Sequence, residues 1–431
     1  MREPIRTPGR PASLDAAPQA VRDYMTVRRI TEALCEPLSV EDMALQSMPD
    51  ASPTKWHLAH TTWFFETFVL ASRPGYRPFR TAFAQLFNSY YRSVGDPYPR
   101  ARRGLLSRPS QGEIRAYRAH VDLAMQDWLS AGVPHALADV VTLGLHHEQQ
   151  HQELVLTDAK HLLAQNPLRP AYRPARAPAA PARGSAAPRF VARPGGILAI
   201  GHEGAGFAFD NEGPRHRRFL EPFALADRLV TNGEWLGFVE DGGYQRPELW
   251  LSDGFDAVER EGWQAPLYWE RDGAGWLHFT LEGMRPLDPE EPVCHVSFFE
   301  ADAFARWAEA RLPGEDEWEA AAAEALVAGN FLASERLRPA PAQEAAAAGP
   351  LRQLYGDVWE WSRSAYAAYP GYAPPAGALG EYNGKFMSGQ LVLRGGSCLT
   401  PQSHVRATYR NFFPPAARWQ MTGVRLARDG G

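Results

Sequence analysis

One stretch with almost no capacity to pack divides this chain. Residues 166–188, NPLRPAYRPARAPAAPARGSAAP, are rich in Pro, Ala and Arg and carry no apolar periodicity. That composition belongs to a semi-extended linker rather than to a folded element. The chain must therefore build one core before it and another after it. A length of 431 residues agrees, since it exceeds what a single hydrophobic core usually fills. We expect a first domain over 1–165, a linker over 166–188 and a second domain over 189–431. The opening segment MREPIRTPGRPASLDAAPQ has no apolar run of the signal-peptide kind and reads as a frayed lead-in.

The two halves differ in kind. Before the linker the apolar residues keep helical spacing. Residues 20–36 place Tyr24, Val27, Ile30 and Leu34 three or four apart. In SPTKWHLAHTTWFFETFVLAS, Ser52 reads as an N-cap, Pro53 as the first helical position, and Trp56, Trp63, Phe64 and Phe68 as core. Ser110-Gln-Gly-Glu113 has the capping-box spacing and opens a helix to about Ser130. A fourth helix starts after Pro134 and runs to about Gln165. Four such helices predict a four-helix bundle. The Arg-, Tyr- and Pro-rich stretch 75–108 between the second and third is long for a connection without a function.

After the linker come short strand-like runs, many turn signals and a wealth of Gly and Trp, as in FVARPGGILAIGHE, GDVWEW, LVLRGGSCL and MTGVRLA. One clear helix, FFEADAFARWAEARL, follows PVCHVS, and an Ala-rich stretch over 318–350 reads as a helix and a surface loop. This half predicts an α+β domain with much irregular structure.

A formal net charge of −5 and a pI near 6.2 argue against a nucleic-acid binder, which carries a basic face. The local cluster Arg100, Arg102, Arg103 and Arg108 suits a small anion equally well. Cys35, Cys294 and Cys398 are too few and too scattered for a disulfide framework. No apolar run approaches the length of a membrane span. These features lead us to expect a cytoplasmic protein without nucleic-acid or membrane partners.

The chemistry is concentrated in HEQQH, mid-helix. His147 and His151, at i and i+4, share one helix face and can reach one ion together. His60, in HLAH on the second helix, can join them, because a bundle aims side chains inward from facing helices. Three imidazoles suit Fe, Zn, Cu and Ni alike. A lone histidine on an apolar face is more often a packed, hydrogen-bonded residue, and His57, His120, His135, His146 and His161 are read that way. HEQQH also fits the zinc-hydrolase pattern, with Glu148 as general base. Two features oppose that alternative: QELVLTDAKH after His151 lacks the G-x-x-H continuation, and no acid occurs in the linker, where another class finds its glutamate ligand. A non-catalytic metal- or thiol-binding module is a further alternative.

Over nearly the whole chain, an ordered set of fragments resembles the sulfoxide synthases of ergothioneine biosynthesis, the hercynine oxygenases. They are SPTKWHLAHTTWFFETF, FNSYYRSVGDPYPRARRGLLSRP, HHEQQHQELVLTDAKH, PVCHVSFFEADAFARWAEARLP, GDVWEW, LRGGSCLTPQSHVRATYRNFFPP and RWQMTGVRLA. The resemblance implies an all-α DinB-like four-helix bundle followed by an α+β domain like the formylglycine-generating enzymes, with a C-type-lectin-like core. It implies Fe(II) on His60, His147 and His151. It also implies a reaction that uses O2 to join the sulfur of cysteine or γ-glutamylcysteine to the imidazole of Nα-trimethylhistidine (hercynine), as a sulfoxide. A relative that uses a selenium donor is the variant reading.

On the same resemblance, Tyr91, or else Tyr90, would give a proton to the oxygen being reduced, since a phenol remains protonated near neutrality. Gln150 would hydrogen-bond the substrate or an iron-bound water, and Asn411 would hold the imidazole substrate. Phe412, Phe413 and Trp419 would face its trimethylammonium group, which needs aromatic faces rather than hydrogen bonds. Some relatives carry an acid where Phe413 stands. Arg100 and Arg103 would clamp the carboxylate of the thiol substrate, and Asp50 would meet its ammonium. Formylglycine-generating enzymes need a pair of cysteines near their C-terminus. Here only Cys398 stands in the corresponding GGSC segment, so it is read as a small buried residue and the second domain as a substrate-binding half.

Overall fold

The computed structural model describes residues 17–175, 187–273, 275–343 and 349–430. The lead-in before residue 17, the central part of the expected linker (176–186) and part of the Ala-rich stretch (344–348) lie outside the described residues.

Four long helices make the first half: α1 (Gln19–Cys35), α2 (Thr54–Phe68), α4 (Gln111–Ala131) and α5 (His135–Gln165), with the short α3 (Phe83–Leu86) inside the long connection. Their starts obey local chemistry. Ser110 accepts from the Glu113 amide while Glu113 reaches back to the Ser110 amide, so α4 opens on a full capping box. The start of α2 departs from expectation. Pro53 is the residue before the first helical turn and no side chain caps the helix. Ser52 is engaged elsewhere: its amide donates to Asp158 (2.8 Å) and its hydroxyl accepts from Arg103 (2.9 Å). Tertiary partners have taken the group that a cap would have used.

The core of this half is aromatic. Tyr24, Trp63, Phe64 and Phe65 are fully buried. Ile30 of α1, by contrast, lies at the surface. Gly144 shows how closely α5 approaches α2. A Cβ there would stand 2.6 Å from the Phe65 ring and 2.9 Å from that of Phe64. The glycine costs the helix about 1 kcal/mol of propensity and lets α5 seat on α2 one turn before His147.

The second half contains short, mainly antiparallel strands interleaved with short helices. β1 (Phe190–Arg193), β4 (Phe223–Ala226) and β12 (Ala427–Asp429) form one sheet, and β2 (Gly196–Ile200) and β3 (His216–Leu220) a hairpin. β5 (Trp269–Asp272), β6 (Gly275–Thr280) and β7 (Gly283–Pro286) form a meander. The central sheet has the order β10 (Asn411–Phe413), β9 (Leu391–Arg394), β8 (Trp359–Ala365), β11 (Thr422–Gly423), with β11 parallel to β8. The helix expected after PVCHVS is α8 (Phe298–Trp307), capped by Ser297 and Glu300, and the Ala-rich stretch contains the end of α9 (Glu315–Ala322). α6 (Asn232–Glu240) and α7 (Ser252–Glu261) were not expected. The Thr231/Glu234 capping box of α6 was legible as T-N-G-E, and the left-handed Gly262 that ends α7 is a familiar stop signal.

α5 joins the halves. His147, Glu148, His151 and Gln152 face the bundle. On the other side of the same helix, Gln149 donates to Ser403 (2.8 Å) and Lys160 meets His295 (2.6 Å). There too, Glu153 accepts from Trp359, Ser397 and Thr400 (2.8, 2.7 and 2.8 Å). A helix used on every side reads as buried all round, and sixteen of its residues are.

Candidate metal centre

His60 lies on the face of α2 that meets α5, between Trp56 four residues before it and Trp63 three residues after it. Both indoles stack on its ring, at 4.6 Å and 13° and at 5.5 Å and 16°. The i−4 and i+3 spacing of WHLAHTTW puts the three rings in one row and leaves the imidazole little freedom. Its Nδ1 donates to the Phe87 carbonyl (2.7 Å), so the lone pair stands on Nε2. From α5, His147 turns its Nε2 to within 3.2 Å of that atom. Phe64 packs on the His147 ring at 4.8 Å.

His151 is oriented through two further residues. Its Nδ1 lies 2.8 Å from Nδ1 of His57, and Nε2 of His57 lies 3.0 Å from the Asp158 carboxylate. A carboxylate only accepts, so the His57 proton sits on Nε2 and its Nδ1 presents a lone pair. His151 must then donate from Nδ1, which leaves its Nε2 as a lone pair for the centre. Asp158, through His57, thus fixes the tautomer of His151, in the way that outer partners orient metal-bound imidazoles. His57 is more than the packed residue expected of it, and Asp158, two turns after His151 on the same face of α5, was not foreseen.

The ligand atoms of His60, His147 and His151 lie within 4.8 Å of one another, all three are buried, and among the described residues no other such group of three occurs. Burial, and for His60 and His151 the neighbouring imidazoles, push all three well below the ordinary histidine range, His147 to about 3. They are neutral and available as ligands. The geometry fits a metal ion: nitrogens bound at ~2.1 Å and at right angles stand roughly 3 Å apart, against the 3.2 Å observed. The set is all nitrogen, with no thiolate or carboxylate.

Glu148 takes no part in that set. Its carboxylate is held between Arg118 (2.6 Å) and Arg28 (2.7 Å), both fully buried. Against the upward push of burial these guanidiniums hold its pKa down to about 2. A carboxylate so committed neither reaches the centre nor accepts a proton near neutrality, which removes the general base that a zinc hydrolase requires.

Around the triad stand three phenols. Tyr91 is buried and packs on Trp63 (5.6 Å) and Phe68 (5.1 Å), with Tyr90 stacked on it at 4.5 Å and the two hydroxyls 3.5 Å apart. Burial raises both, Tyr90 to about 12. Tyr382, from the second domain, was not anticipated. Its ring meets His147 edge-on at 5.8 Å and its hydroxyl donates to Oε1 of Gln150 (2.5 Å). Nε2 of Gln150 donates to Tyr409 (2.8 Å), whose hydroxyl meets His404 (2.9 Å). Nothing in the sequence marks Tyr382; the turn before it brings it to α5.

The remaining residues divide. Arg103 is buried, stacked 3.3 Å from the Trp56 ring centroid and bonded to the hydroxyls of Ser52 and Ser89 (2.9 and 3.0 Å). Among the described residues its Nε has no hydrogen-bond partner, and its charge is opposed by the Asp158 carboxylate, which reaches Ser52 rather than the guanidinium itself. Arg100 and Asp50 are exposed. Asn411 and Phe412 lie on β10, with Oδ1 of Asn411 accepting the Phe412 amide (2.9 Å). Phe412 stacks on Tyr366 at 4.0 Å, and Phe386 links it to Tyr90. Phe413 meets Trp419 edge-on at 6.0 Å. Cys398, like the other two cysteines, is buried and unpaired with any disulfide. Among the described residues no helix is long and apolar enough to cross a membrane.

Two family models match the chain. The DinB superfamily model matches residues 24–155, and the sulfatase-modifying factor enzyme 1-like domain matches 175–349 and 333–430. The chain is 34% identical over 412 residues to the hercynine oxygenase of Mycobacterium tuberculosis, covering 90% of this chain and 93% of that one. It is 33% identical over 421 residues to the hercynine oxygenase of Mycolicibacterium thermoresistibile, covering 90% of each. Ergothioneine biosynthesis protein 1 of Schizosaccharomyces pombe is 24% identical over 236 residues, 52% of this chain and 28% of that protein.

Proposed function

This chain belongs to the hercynine oxygenase family, and on that premise we propose that it is an Fe(II)- and O2-dependent sulfoxide synthase of ergothioneine biosynthesis. It joins the sulfur of cysteine or γ-glutamylcysteine to the imidazole of Nα-trimethylhistidine. The balance is RSH + ImH + O2 → RS(O)Im + H2O: one oxygen atom ends on sulfur, and the other leaves as water with the thiol and imidazole hydrogens. Forming the C–S bond supplies two electrons and oxidising sulfur two more.

The observation that carries this reading is the convergence of His60, His147 and His151, with the lone pairs of His60 and His151 fixed inward. They would hold the iron. Bound there, iron supplies the electron transfer between thiol and O2 that no side chain can. Everything else falls to the protein. Tyr91 is the proton donor for the reduced oxygen, with Tyr90 behind it. Burial keeps both phenols protonated across the physiological range. Arg103 takes the carboxylate of the thiol substrate. Its buried guanidinium hydrogen-bonds only to the Ser52 and Ser89 hydroxyls, so an anionic ligand could bond it directly. Arg100 and Asp50, both exposed, would meet the substrate's charged groups. Gln150 and Asn411 hold the imidazole, and Phe412 and Phe413 present aromatic faces to the trimethylammonium group.

Aerobic turnover with Fe(II), hercynine and either thiol, followed by mass spectrometry, tests the reading. We expect the sulfoxide from the unaltered protein and none from His60→Ala. Activity supported by zinc instead of iron, or no oxygen uptake with either thiol, would reject it.

A further inference from the structure

The loop that holds Tyr90 and Tyr91 has only half its support within its own domain. Asn88 anchors the first half: its Nδ2 donates to the carbonyls of Tyr91 and Gly95 (2.9 and 3.0 Å) and its Oδ1 accepts the Tyr91 amide (2.9 Å). The next two amides, of Arg92 and Ser93, find no backbone acceptor. Both donate across the domain boundary to a single carboxylate, Glu381, at 3.0 and 2.9 Å, and the Ser93 hydroxyl joins them at 2.6 Å. One turn later, Lys385 donates to the Tyr90 carbonyl (2.5 Å) and to Glu381 (2.9 Å), and its ammonium lies 4.6 Å from the centre of the Tyr90 ring. Phe386 closes on the same ring from its edge at 5.2 Å.

We propose that Glu381 and Lys385 are positioning residues for the proton donor: the second domain, by gripping the backbone of residues 90–93, fixes where the Tyr91 hydroxyl stands. The inference rests on the reading of Tyr91 given above. An exposed ion pair alone would carry little weight. This carboxylate instead satisfies two consecutive backbone amides and a hydroxyl, whose alternative is water and a free loop. Lys385 ties the same segment at the residue stacked directly on Tyr91. The bonds keep the Glu381 carboxylate charged: against a desolvation push upward, Ser93, Lys385 and Arg92 hold it near 2. Neither residue touches the triad, so their effect reaches the chemistry only through the loop. Proton delivery then requires the two domains to be docked, which makes the boundary between them part of the catalytic apparatus.

The test uses the full-length iron-loaded protein and two readouts on Glu381→Ala, Lys385→Met and the conservative Glu381→Gln. Hydrogen exchange in the segment 88–95 needs no turnover; Glu381→Ala should speed it by about tenfold or more, and Glu381→Gln, which keeps an acceptor oxygen, less. In turnover, sulfoxide formation should fall by roughly ten- to a hundredfold with iron content unchanged. Oxygen consumed per sulfoxide should rise above one as the thiol is oxidised without the imidazole. Unchanged exchange overturns the grip. Accelerated exchange with the oxygen-to-sulfoxide ratio still at one, or loss of activity in proportion to loss of iron, overturns the positioning role. Absence of sulfoxide from the unaltered protein rejects the proposed function instead, and the exchange readout still judges the grip.

Discussion

Glu148 Oε1 stands 2.6 Å from Nη2 of Arg118, and this contact decides how the HEQQH sequence is to be understood. The same five residues that would make a hydrolase in another setting here supply two ligands and one structural anion, because α1 and α4 each send a buried arginine to the residue that would otherwise be the base.

Glu148→Gln should therefore destabilise the fold rather than remove a catalytic base. Leaving two buried guanidiniums short of their partner costs about 3–5 kcal/mol, read as a lower denaturant midpoint, while the folded fraction retains sulfoxide formation. The pH dependence has a defined sign. The folded pKa, about 2, lies below the ordinary 4.5, so this group's contribution is complete above pH 4.5 and drains away as pH falls toward 2. The difference in stability between native and Glu148→Gln proteins should shrink across that window.

His57→Phe keeps an aromatic ring of similar reach but removes the acceptor that holds the His151 Nδ1 proton (2.8 Å). Iron affinity should drop by about 10- to 100-fold, measured by metal titration, with the helical content intact. Asp158→Asn, which can still accept from His57, should give a smaller loss.

Gly144→Ala sets a methyl group 2.6 Å from the Phe65 ring. The gain of about 1 kcal/mol in helix propensity is outweighed by pushing α5 off α2, one turn from His147. Reduced metal binding and a lower melting temperature should appear together.

Arg103→Met removes a buried cation whose side-chain hydrogen bonds go to two hydroxyls rather than to a carboxylate. Stability should hold or rise, as when other buried charges give way to apolar groups, while the KM for the thiol substrate rises by about 10- to 100-fold, the worth of a charge-assisted hydrogen-bond pair. Melting curves and a KM-against-kcat comparison separate the two effects.

Much of this was legible in the chain itself. Helix periodicity gave the four long helices, and the capping box at Ser110 and Pro134 before α5 gave two of their starts. The i,i+4 spacing of His147 and His151 and the aromatic row around His60 depend only on helix geometry, which is local and repeats. Ser52 shows where that ends: its sequence context said cap, and Asp158 and Arg103, both distant in sequence, claimed it instead.

What the sequence determined by itself was the kind of parts: a histidine-bearing bundle and a Gly- and Trp-rich second half; the Pro-, Ala- and Arg-rich stretch expected to pack nothing in fact buries Tyr172, whose hydroxyl donates to the Leu34 carbonyl (2.8 Å). Tertiary structure alone decided which groups act on one another. Asp158 sets the His151 tautomer through His57, Tyr382 arrives beside His147, and Glu381 holds a loop 288 residues away. Propensity and periodicity act over a few residues, whereas a carboxylate answers to whatever donors the packed chain brings within 3 Å, and that depends on every element between them.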